Sequence, residues 1–524
     1  MTATAGAATF GRRSDDTPQM VLGGYTALAE SAWMGAAQAS DVLESLRATP
    51  TGRSWRPVLP RLPRLRLAGL LTREFSIAEA TFILMASFLV SALLGAVRQI
   101  LFNAAFGAGA EASAYYAAFR LPDTLFSLIA GGALSSAMIP VLLRTIQEDG
   151  PDAGWRLTSL ILTALLAVFA LVVAIGELFA PAFVSYLLAP GFDAETSRLT
   201  VALTRVMLLQ PLILAIGSVA TAVLNSRNQF LLTALSVASH NVALIAGILA
   251  ARIFPDLGIY GPTLGVVGGA FLQVAILLPG LLERKPDERK GQVQLRPAFD
   301  LADRRLREVT RLLIPNGLSV GVNYAGFILD TAFASKAAEQ AGLPAIQNAW
   351  LLVGLPIALL GQAVGQSAFP RLAAHAAAGE WRDMRRTLLR SLGAVVGLAV
   401  PALLGLVFLG RIVIHILFER GKFDAAAGAL TYQVLVAYAV ALPFYVATEV
   451  ITRGLIALDD TRTPLLTNTA QIAGRALLLV LMIATLGVLA VPIAFAVTAS
   501  LETLILGIVL LIKLRRLSYD KMTR

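Results

Sequence analysis

Twelve segments of about 20 mostly apolar residues follow one another between residues 78 and 513. A helix needs roughly 20 such residues to cross the hydrocarbon core of a membrane. The composition agrees, since 57% of the residues are hydrophobic and 15% are charged, against roughly 45–50% and 25% in soluble domains. We therefore expect an all-α polytopic membrane protein. The predicted spans are 78–100, 119–144, 157–181, 200–224, 230–252, 258–282, 309–334, 344–368, 387–410, 429–455, 465–487 and 490–513.

Lysine and arginine are concentrated in alternate loops between these spans. Basic residues crowd the segment before the first span, the loops after the sixth and eighth spans, and the segment after the twelfth. With twelve spans, all four places lie on one side of the membrane. Because cytoplasmic loops carry the excess of Lys and Arg, both termini are predicted to be cytoplasmic. The same distribution accounts for the net charge of +10 without a nucleic-acid partner.

An internal repeat divides the chain into two halves of six spans. The paired pieces end at Pro140 and Pro370, at Phe192 and Phe423, and at Asn228 and Arg462, with offsets of 230, 231 and about 234 residues. Because six is even, both halves enter the bilayer in the same orientation. This predicts two six-helix lobes, related by a pseudo-two-fold axis along the membrane normal, with a substrate site between them.

The predicted domain boundaries follow from the spans and the repeat. They are a basic cytoplasmic tail at 1–77, a first lobe at 78–283, a basic cytoplasmic linker at 284–308, a second lobe at 309–513 and a cytoplasmic tail at 514–524. The first tail is Ala/Gly/Ser-rich and then punctuated by Pro and Arg, which is typical of a disordered or surface-lying segment. A weak amphipathic helix at 20–46 is an alternative for part of it.

A small number of ionisable side chains fall inside the predicted spans. A charge at the centre of a membrane helix costs about 2.5–3.5 kcal/mol on insertion scales, so it generally faces a cavity or a partner. The candidate substrate-binding residues are Arg98, Arg120, Arg205, Asp330 and Arg475. The alternatives are snorkelling of Arg98 or Arg120 to the membrane interface, and structural pairing between helices for the other three. Asp330 is also a candidate cation or proton site.

The remaining chemistry-bearing residues indicate no enzyme. Glu449 and Arg453 are spaced for a local ion pair on one helix, and His240 is expected to be a packed polar residue. The chain has no Cys, which excludes disulfides and thiolate metal sites. It also has no zinc-ligand spacing, nucleotide-binding loop or nucleophile constellation. We expect no metal, no cofactor and no catalytic residues.

The stretch 91–142 resembles the start of the MurJ/MviN family, the lipid II flippases of bacterial peptidoglycan synthesis. The matching residues are Gly95, Arg98, Phe106 to Ala108, Ala118 to Pro122, Gly132, Ala133, Ser135, Ala137 and Pro140. Further family-like pieces follow in order at 189–192, 224–225, 228–230, 314–315, 421–423 and 460–464. The resemblance covers residues 78–513. It implies the fold of the multidrug/oligosaccharidyl-lipid/polysaccharide exporter superfamily, with two six-helix lobes around a central cavity.

The chain departs from the family pattern at several charged positions. Positions where the family typically has a charge are Ala92, Gln99, Ser113, Phe126, Ser127, Gly131 and Leu351. The last two helices of the family, which extend a lipid-facing groove, are also absent. Arg98 and Arg120 are therefore the cavity charges that the resemblance carries over.

The resemblance implies a flippase that moves lipid II, the lipid-linked peptidoglycan precursor, from the inner to the outer leaflet of a bacterial plasma membrane. The implied partners are a polyprenyl-pyrophosphate lipid, membrane lipids and the cell-wall synthesis machinery. Arginine suits such a substrate because its guanidinium binds phosphate oxygens bidentately. An ion gradient, the membrane potential or the substrate gradient would drive alternating access. The alternatives are a flippase for another polyprenyl-pyrophosphate glycan, an ion-coupled small-molecule antiporter of the same fold, and a non-transporting partner in cell-wall assembly.

Overall fold

A computed structural model describes residues 77–130, 133–282 and 295–522. The helix considered at 20–46 and most of the predicted first tail lie outside these residues. Within the described ranges the chain is helical and contains no strand, which confirms the predicted all-α class. The α-helices are α1 Ile77–Phe106, α2 Ala110–Ala130, α3 Ala133–Asp149, α4 Pro151–Ala182, α5 Ala194–Met207, α6 Leu209–Ser226, α7 Phe230–Ile253, α8 Tyr260–Leu282, α9 Arg304–Ala334, α10 Gly342–Pro356, α11 Ala363–Ala377, α12 Trp381–Leu417, α13 Ala425–Ile456, α14 Arg462–Leu486 and α15 Ala490–Met522.

Two of the predicted spans are interrupted in the structure. The span predicted at 119–144 covers α2 and α3, of which α2 begins already at Ala110, and residues 131 and 132 between them lie outside the described residues. A wider π-helical turn at Ile357–Gln362 joins α10 to α11. It directly follows Pro356, which has no N–H for the helical ladder, so the ladder is re-formed with a different spacing. The span predicted at 200–224 is divided between α5 and α6 at Leu208.

Nine segments of the described chain are long and apolar enough to cross a membrane, and the longest runs from Arg462 to Leu517 over two helices. The predicted spans 119–144 and 309–334 are not among them. The second carries polar residues such as Asp330. The helices expose large apolar side chains, including Leu178 at 73% and Phe408 at 72%, a surface that suits lipid tails and not water. The total of twelve spans stays a prediction.

Helix packing is densest inside each half of the chain. In the first half, α7 packs against α1 and α8, and in the second half α13 packs against α10, α12 and α15. Tyr438 on α13 is 2% exposed and lies edge-on to Trp350 and Phe495, with ring centroids 5.2 and 5.6 Å away. Helix α9 is different, because it contacts α2 and α3 of the first half as well as α14 of the second.

The chain enters α9 along the surface of the first half. The backbone N–H groups of Arg296 and Ala298 donate to the hydroxyls of Ser159 and Thr163 on α4, each at 3.3 Å. Asp303 caps α9, since its carboxylate accepts from two backbone N–H groups of the first turn. Ion pairs then join this turn to α3, between Arg305 and Asp149 and, at 2.9 Å, between Glu308 and Arg144. The start of α9 is therefore fixed to α3 and α4.

The backbone repeats the sequence repeat. Left-handed φ angles occur at Gly150 and Gly379, at Asn228 and Asp459, and at Gly258 and Gly487, which are 229, 231 and 229 residues apart. A residue other than glycine rarely adopts a positive φ, so the match between Asn228 and Asp459 is specific. The sequence paired Asn228 with Arg462, at an offset of about 234 residues. The structure shows that Asp459 is the equivalent of Asn228, so this offset is corrected to 231.

Candidate functional site

Arg98 is held between α1 and α7 by neutral groups. Ser91, Gly95 and Arg98 lie on one face of α1, at the spacing of successive helical turns. Asn241 on α7 binds this face, because its Nδ2 donates to the Ser91 hydroxyl at 3.1 Å. The Oδ1 of Asn241 in turn accepts from the Arg98 guanidinium at 3.1 Å. Arg98 is half-buried, so its orientation is set by the helix pair and not by a carboxylate.

Arg120 lies between the two halves of the chain, and its depth relative to the membrane interface stays a prediction. Its Nε donates to the hydroxyl of Thr331 on α9 at 3.0 Å, and its Nη2 donates to Oε1 of Gln347 on α10 at 3.1 Å. The guanidinium also stands 5.5 Å above the Phe327 ring, in a cation–π arrangement. This side chain of the first half is therefore oriented by three groups of the second half.

Both guanidinium groups keep an unpaired positive charge. Among the described ion pairs, none involves Arg98 or Arg120. Asp123, one turn after Arg120 on α2, lies within electrostatic range of both arginines, and Asp330 lies within range of Arg120. We call Arg98, Arg120 and their partners Asn241, Thr331 and Gln347 the arginine site. In this site two positively charged guanidinium groups are held in place by neutral side chains.

Asp330 and Arg475 form a separate, buried ion pair. The Arg475 Nη1 donates to Asp330 Oδ2 at 3.2 Å, and their side chains are 6% and 9% exposed. Gly326 makes room for this pair, because a Cβ at that position would collide with the Arg475 guanidinium. The guanidinium also stands 5.4 Å above the Phe495 ring. Pairing between α9 and α14 thus neutralises both charges within the second half.

Two other predictions concern Arg205 and the pair formed by Glu449 and Arg453. Arg205 is exposed on α5, where its Nε lies 3.8 Å from Glu177 of α4, and no described hydrogen bond or ion pair joins it to the arginine site. Glu449 and Arg453 are not among the described ion pairs, although Arg453 lies within electrostatic range of Glu449, so their local ion pair stays a prediction. The stems of both side chains pack along glycines of the second half, Glu449 on Gly361 and Arg453 on Gly365.

A cluster of buried amides joins the two halves beside the arginine site. Gln99 Nε2 on α1 donates to Asn348 Oδ1 on α10 at 2.8 Å and to the Tyr116 hydroxyl at 2.6 Å. Asn103 Nδ2 donates to the same Asn348 oxygen at 2.9 Å. All four side chains are less than 9% exposed. We call Gln99, Asn103, Tyr116 and Asn348 the amide latch.

The loops next to the amide latch close one end of the molecule. The Lys422 N–H donates to the Ala104 carbonyl at 3.0 Å, and the Gly191 N–H donates to the Ser335 hydroxyl at 3.0 Å. Gly191 and Gly421 lie in the paired pieces of the repeat that end at Phe192 and Phe423, and at each one a Cβ would collide with a carbonyl of the opposite half. Glycine at both places therefore lets the two halves meet backbone to backbone. We call this the closed end.

Sequence reasoning missed most of the neutral partners. It singled out charged residues, whereas Asn241, Gln347 and Asn348 also lie inside apolar helices and orient the site. Uncharged amides at such positions are a usable signal, because a polar group buried in a membrane helix needs a hydrogen-bond partner. Asp123 was missed because it follows Pro122 near the predicted end of a span.

A family model and several relatives match this chain. The model described as "Lipid II flippase MurJ" matches residues 102–522. A probable lipid II flippase MurJ of Rhizobium tropici is 28% identical over 425 residues, which are 80% of this chain and 78% of the relative. The lipid II flippase MurJ of Burkholderia cenocepacia is 29% identical over 378 residues, 72% of each chain.

Solved structures share the fold. A structure of lipid II flippase MurJ in an inward closed conformation superposes with a TM-score of 0.69 at 21% identity, covering 84% of this chain and 90% of that one. An inward-facing multidrug resistance transporter of the MATE family has a TM-score of 0.68 at 14% identity, covering 84% and 99%. The helical membrane-protein fold shared with these structures is thereby confirmed, whereas its division into two six-helix lobes stays a prediction.

Proposed function

The chain belongs to the lipid II flippase MurJ family, and from this premise we propose that it moves lipid II from the inner to the outer leaflet of a bacterial membrane. The molecule is a multi-pass membrane protein, and its helices expose apolar surface to lipid. A flippase of this kind holds the polar head group between two halves while the lipid tail stays in the bilayer. Alternating access of the two halves then exposes the head group to each side in turn.

The observation that supports this proposal best is the unpaired charge of the arginine site. A pyrophosphate that enters a largely apolar protein needs compensation for its lost hydration. Arg98 and Arg120 offer guanidinium groups whose present partners are neutral, so a phosphate gains charge-assisted hydrogen bonds without breaking an ion pair. Because Arg120 is bound by α9 and α10, its release or rearrangement would also connect substrate binding to the contact between the halves.

The arrangement of the second half counts against the ion-coupled antiporter. That alternative depended on Asp330 as a cation or proton site. Arg475 already supplies the counter-charge to Asp330 at 3.2 Å, so we assign Asp330 and Arg475 a structural role and no transported ion. The substrate-binding roles first considered for Arg205, Asp330 and Arg475 are accordingly not part of the proposal.

The orientation in the membrane is part of the proposal. We place the closed end outside and both termini in the cytoplasm, as two lobes of six spans each. The lysine and arginine distribution supports this orientation. The chain contains no Cys, so a single cysteine at Ser197 should react with a membrane-impermeant reagent from outside intact cells, whereas one at Gln292 should not. The reverse labelling pattern would reject the orientation.

The function is tested by replacing the native flippase of a host bacterium with this gene. Growth and lipid II in the outer leaflet should be restored by the unchanged chain and lost with Arg98→Ala or Arg120→Ala. Each hydrogen-bonded charge contributes about 1.5–3 kcal/mol, so each loss should weaken substrate binding by roughly tenfold or more. Arg205→Ala is the matched control, because it removes an exposed arginine that no described hydrogen bond or ion pair joins to the site.

The outcomes separate the function from the site. Failure of the unchanged chain to restore outer-leaflet lipid II, despite its presence in the membrane, rejects lipid II as substrate. Full activity of both site variants together with an active parent rejects the arginine site and leaves the function standing. Comparable loss in the Arg205→Ala control would show that the assay reports general damage.

A further inference from the structure

The first turns of α12 carry a row of exposed arginines. Arg382, Arg385, Arg386 and Arg390 are exposed, and their spacing places them on one face of the helix. The opposite face is anchored in the second half, where Met384 and Leu388 are 0% and 2% exposed. We call these four arginines the arginine stripe. It is presented on a helix whose position is fixed by its buried side.

Some basic residues near the ends of other helices are paired within the protein, whereas others, such as Arg515 and Arg516, are not among the described ion pairs. Arg144 binds Glu308 at 2.9 Å, and Lys513 binds Asp460 at 2.5 Å. The described ion pairs include none for the arginine stripe. Of the neighbouring acids, Glu380 is bound by His375 at 2.8 Å, and Asp383 alone lies beside the stripe on α12. The surface therefore keeps a strong excess of positive charge.

The length of α12 places the stripe at the level of lipid head groups. The helix has 37 residues, which is about 55 Å at 1.5 Å per residue, against roughly 30 Å of hydrocarbon. Its large exposed apolar side chains begin at Leu389 and run to Ile416, over about 40 Å. Leu389 lies between Arg386 and Arg390, so the apolar surface of the helix begins within the arginine stripe. The other three arginines precede Leu389 by about 5–10 Å along the helix, which places them at the polar head-group region that flanks the hydrocarbon.

We propose that the arginine stripe binds the phosphate groups of anionic phospholipids, as a surface separate from the arginine site. Guanidinium groups bind phosphate oxygens bidentately, and basic side chains at the membrane surface are attracted to anionic lipids. The rigid helix holds several guanidiniums at this level at once, so one lipid or two neighbouring lipids meet more than one cation. The proposal depends on the membrane position of α12 and not on flippase activity.

The test measures binding of labelled phosphatidylglycerol and of phosphatidylcholine to the full chain in detergent. The unchanged chain should prefer phosphatidylglycerol. The triple variant Arg382→Gln/Arg385→Gln/Arg386→Gln should bind phosphatidylglycerol about a hundredfold more weakly, because it loses the attraction of three surface charges. Rising salt should reduce the preference of the unchanged chain. The control Arg144→Gln/Arg156→Gln/Arg305→Gln removes three arginines that are paired with acids and should keep the preference.

Three results would overturn the proposal. The first is phosphatidylglycerol binding by the stripe variant that equals the parent. The second is an equal loss in the control, which would mean that net charge alone decides. The third is a stripe variant that loses a polyprenyl-pyrophosphate lipid but keeps phosphatidylglycerol, which would assign the stripe to the transported substrate. Millimolar inorganic phosphate should not displace the lipid; if it does, the surface binds free anions instead.

Discussion

Removing the side chain of Asn348 should open the closed end. Asn348 is 0% exposed and is the member of the amide latch that the second half contributes. Its Oδ1 accepts from Gln99 at 2.8 Å and from Asn103 at 2.9 Å. In Asn348→Ala both donors lose this acceptor in the closed arrangement. Gln99 keeps its hydrogen bonds to Tyr116 and Asn103, whereas the buried Asn103 Nδ2 is left without a described acceptor until the halves separate and water reaches it.

The size of the effect follows from the two lost hydrogen bonds. Each contributes about 1 kcal/mol net, and a buried donor without a partner costs about 1–3 kcal/mol. The closed arrangement should therefore lose about 2–3 kcal/mol relative to the open one. This corresponds to a shift of roughly 30- to 150-fold in the ratio of the two populations.

A single cysteine can report the opening, because the chain has none of its own. Ala117 is 0% exposed and packs in the same core cluster as side chains of the second half. Labelling of Ala117→Cys by a soluble maleimide should be slow in the parent and tens of times faster with Asn348→Ala. The rate at Ala439→Cys, which is 0% exposed inside α13, should stay slow in both.

The reasoning is refuted if Asn348→Ala leaves the labelling rate of Ala117→Cys unchanged while the protein remains folded. A matched control is Gln471→Ala, which removes an amide hydrogen bond of 3.0 Å to Thr498 within the second half. It should not change labelling at position 117. Equal acceleration by the control would indicate a general loosening of the helices.

Three further perturbations test other contacts. Asp330→Asn leaves the buried Arg475 without its counter-charge and should cost about 3–5 kcal/mol of stability, measured as a lower unfolding temperature; adding Arg475→Met should restore much of it, and simple additivity would contradict the pairing. Gly421→Ala places a Cβ against the Ala104 carbonyl at a φ of 59°, so it should accelerate labelling of Ala117→Cys as Asn348→Ala does, whereas an unchanged rate would mean that the loops adjust. Burial alone would raise the pKa of Asp460, but hydrogen bonds from Lys513 and Thr463 outweigh it and hold that pKa below its usual range. A depressed carboxyl pKa stabilises the fold above the ordinary range and loses this contribution as pH falls, so Asp460→Asn should lower the unfolding temperature at pH 7 and differ little from the parent at the lowest pH; a difference that persists in acid would contradict the assignment.

The helices could be predicted from the sequence because a membrane helix is specified by its own composition. Apolar runs of sufficient length located most of the elements, whereas the π-helical turn at Ile357–Gln362 escaped because other prolines, such as Pro401 and Pro443, occur inside continuous helices. Arg98 and Arg120 could also be identified as site candidates from the sequence alone. A charged residue inside an apolar segment is recognisable without knowledge of its neighbours in the fold.

The partners of these charges could not be predicted, because pairing between helices depends on their rotation and tilt. Asp330 and Arg475 are 145 residues apart, and both were conspicuous, yet the sequence does not indicate that they face each other. Arg205 appears equally conspicuous and lies on an exposed surface. The spacing of Glu449 and Arg453 likewise does not indicate that their side chains pack along glycines of the second half.

Residues 295–303 are attached to α4, and this attachment determines how the two halves of the chain are connected. The chain leaves α8 in the first half and returns to the surface of the same half before α9 begins. The peptide link between the halves is therefore not a tether stretched from one to the other. An insertion or a cut between residues 283 and 294 would alter a loop that starts and ends on one side, and the two pieces would still be joined by α9 lying against α2 and α3. In evolutionary terms, the two repeats could be carried by separate genes without losing the contact that aligns them.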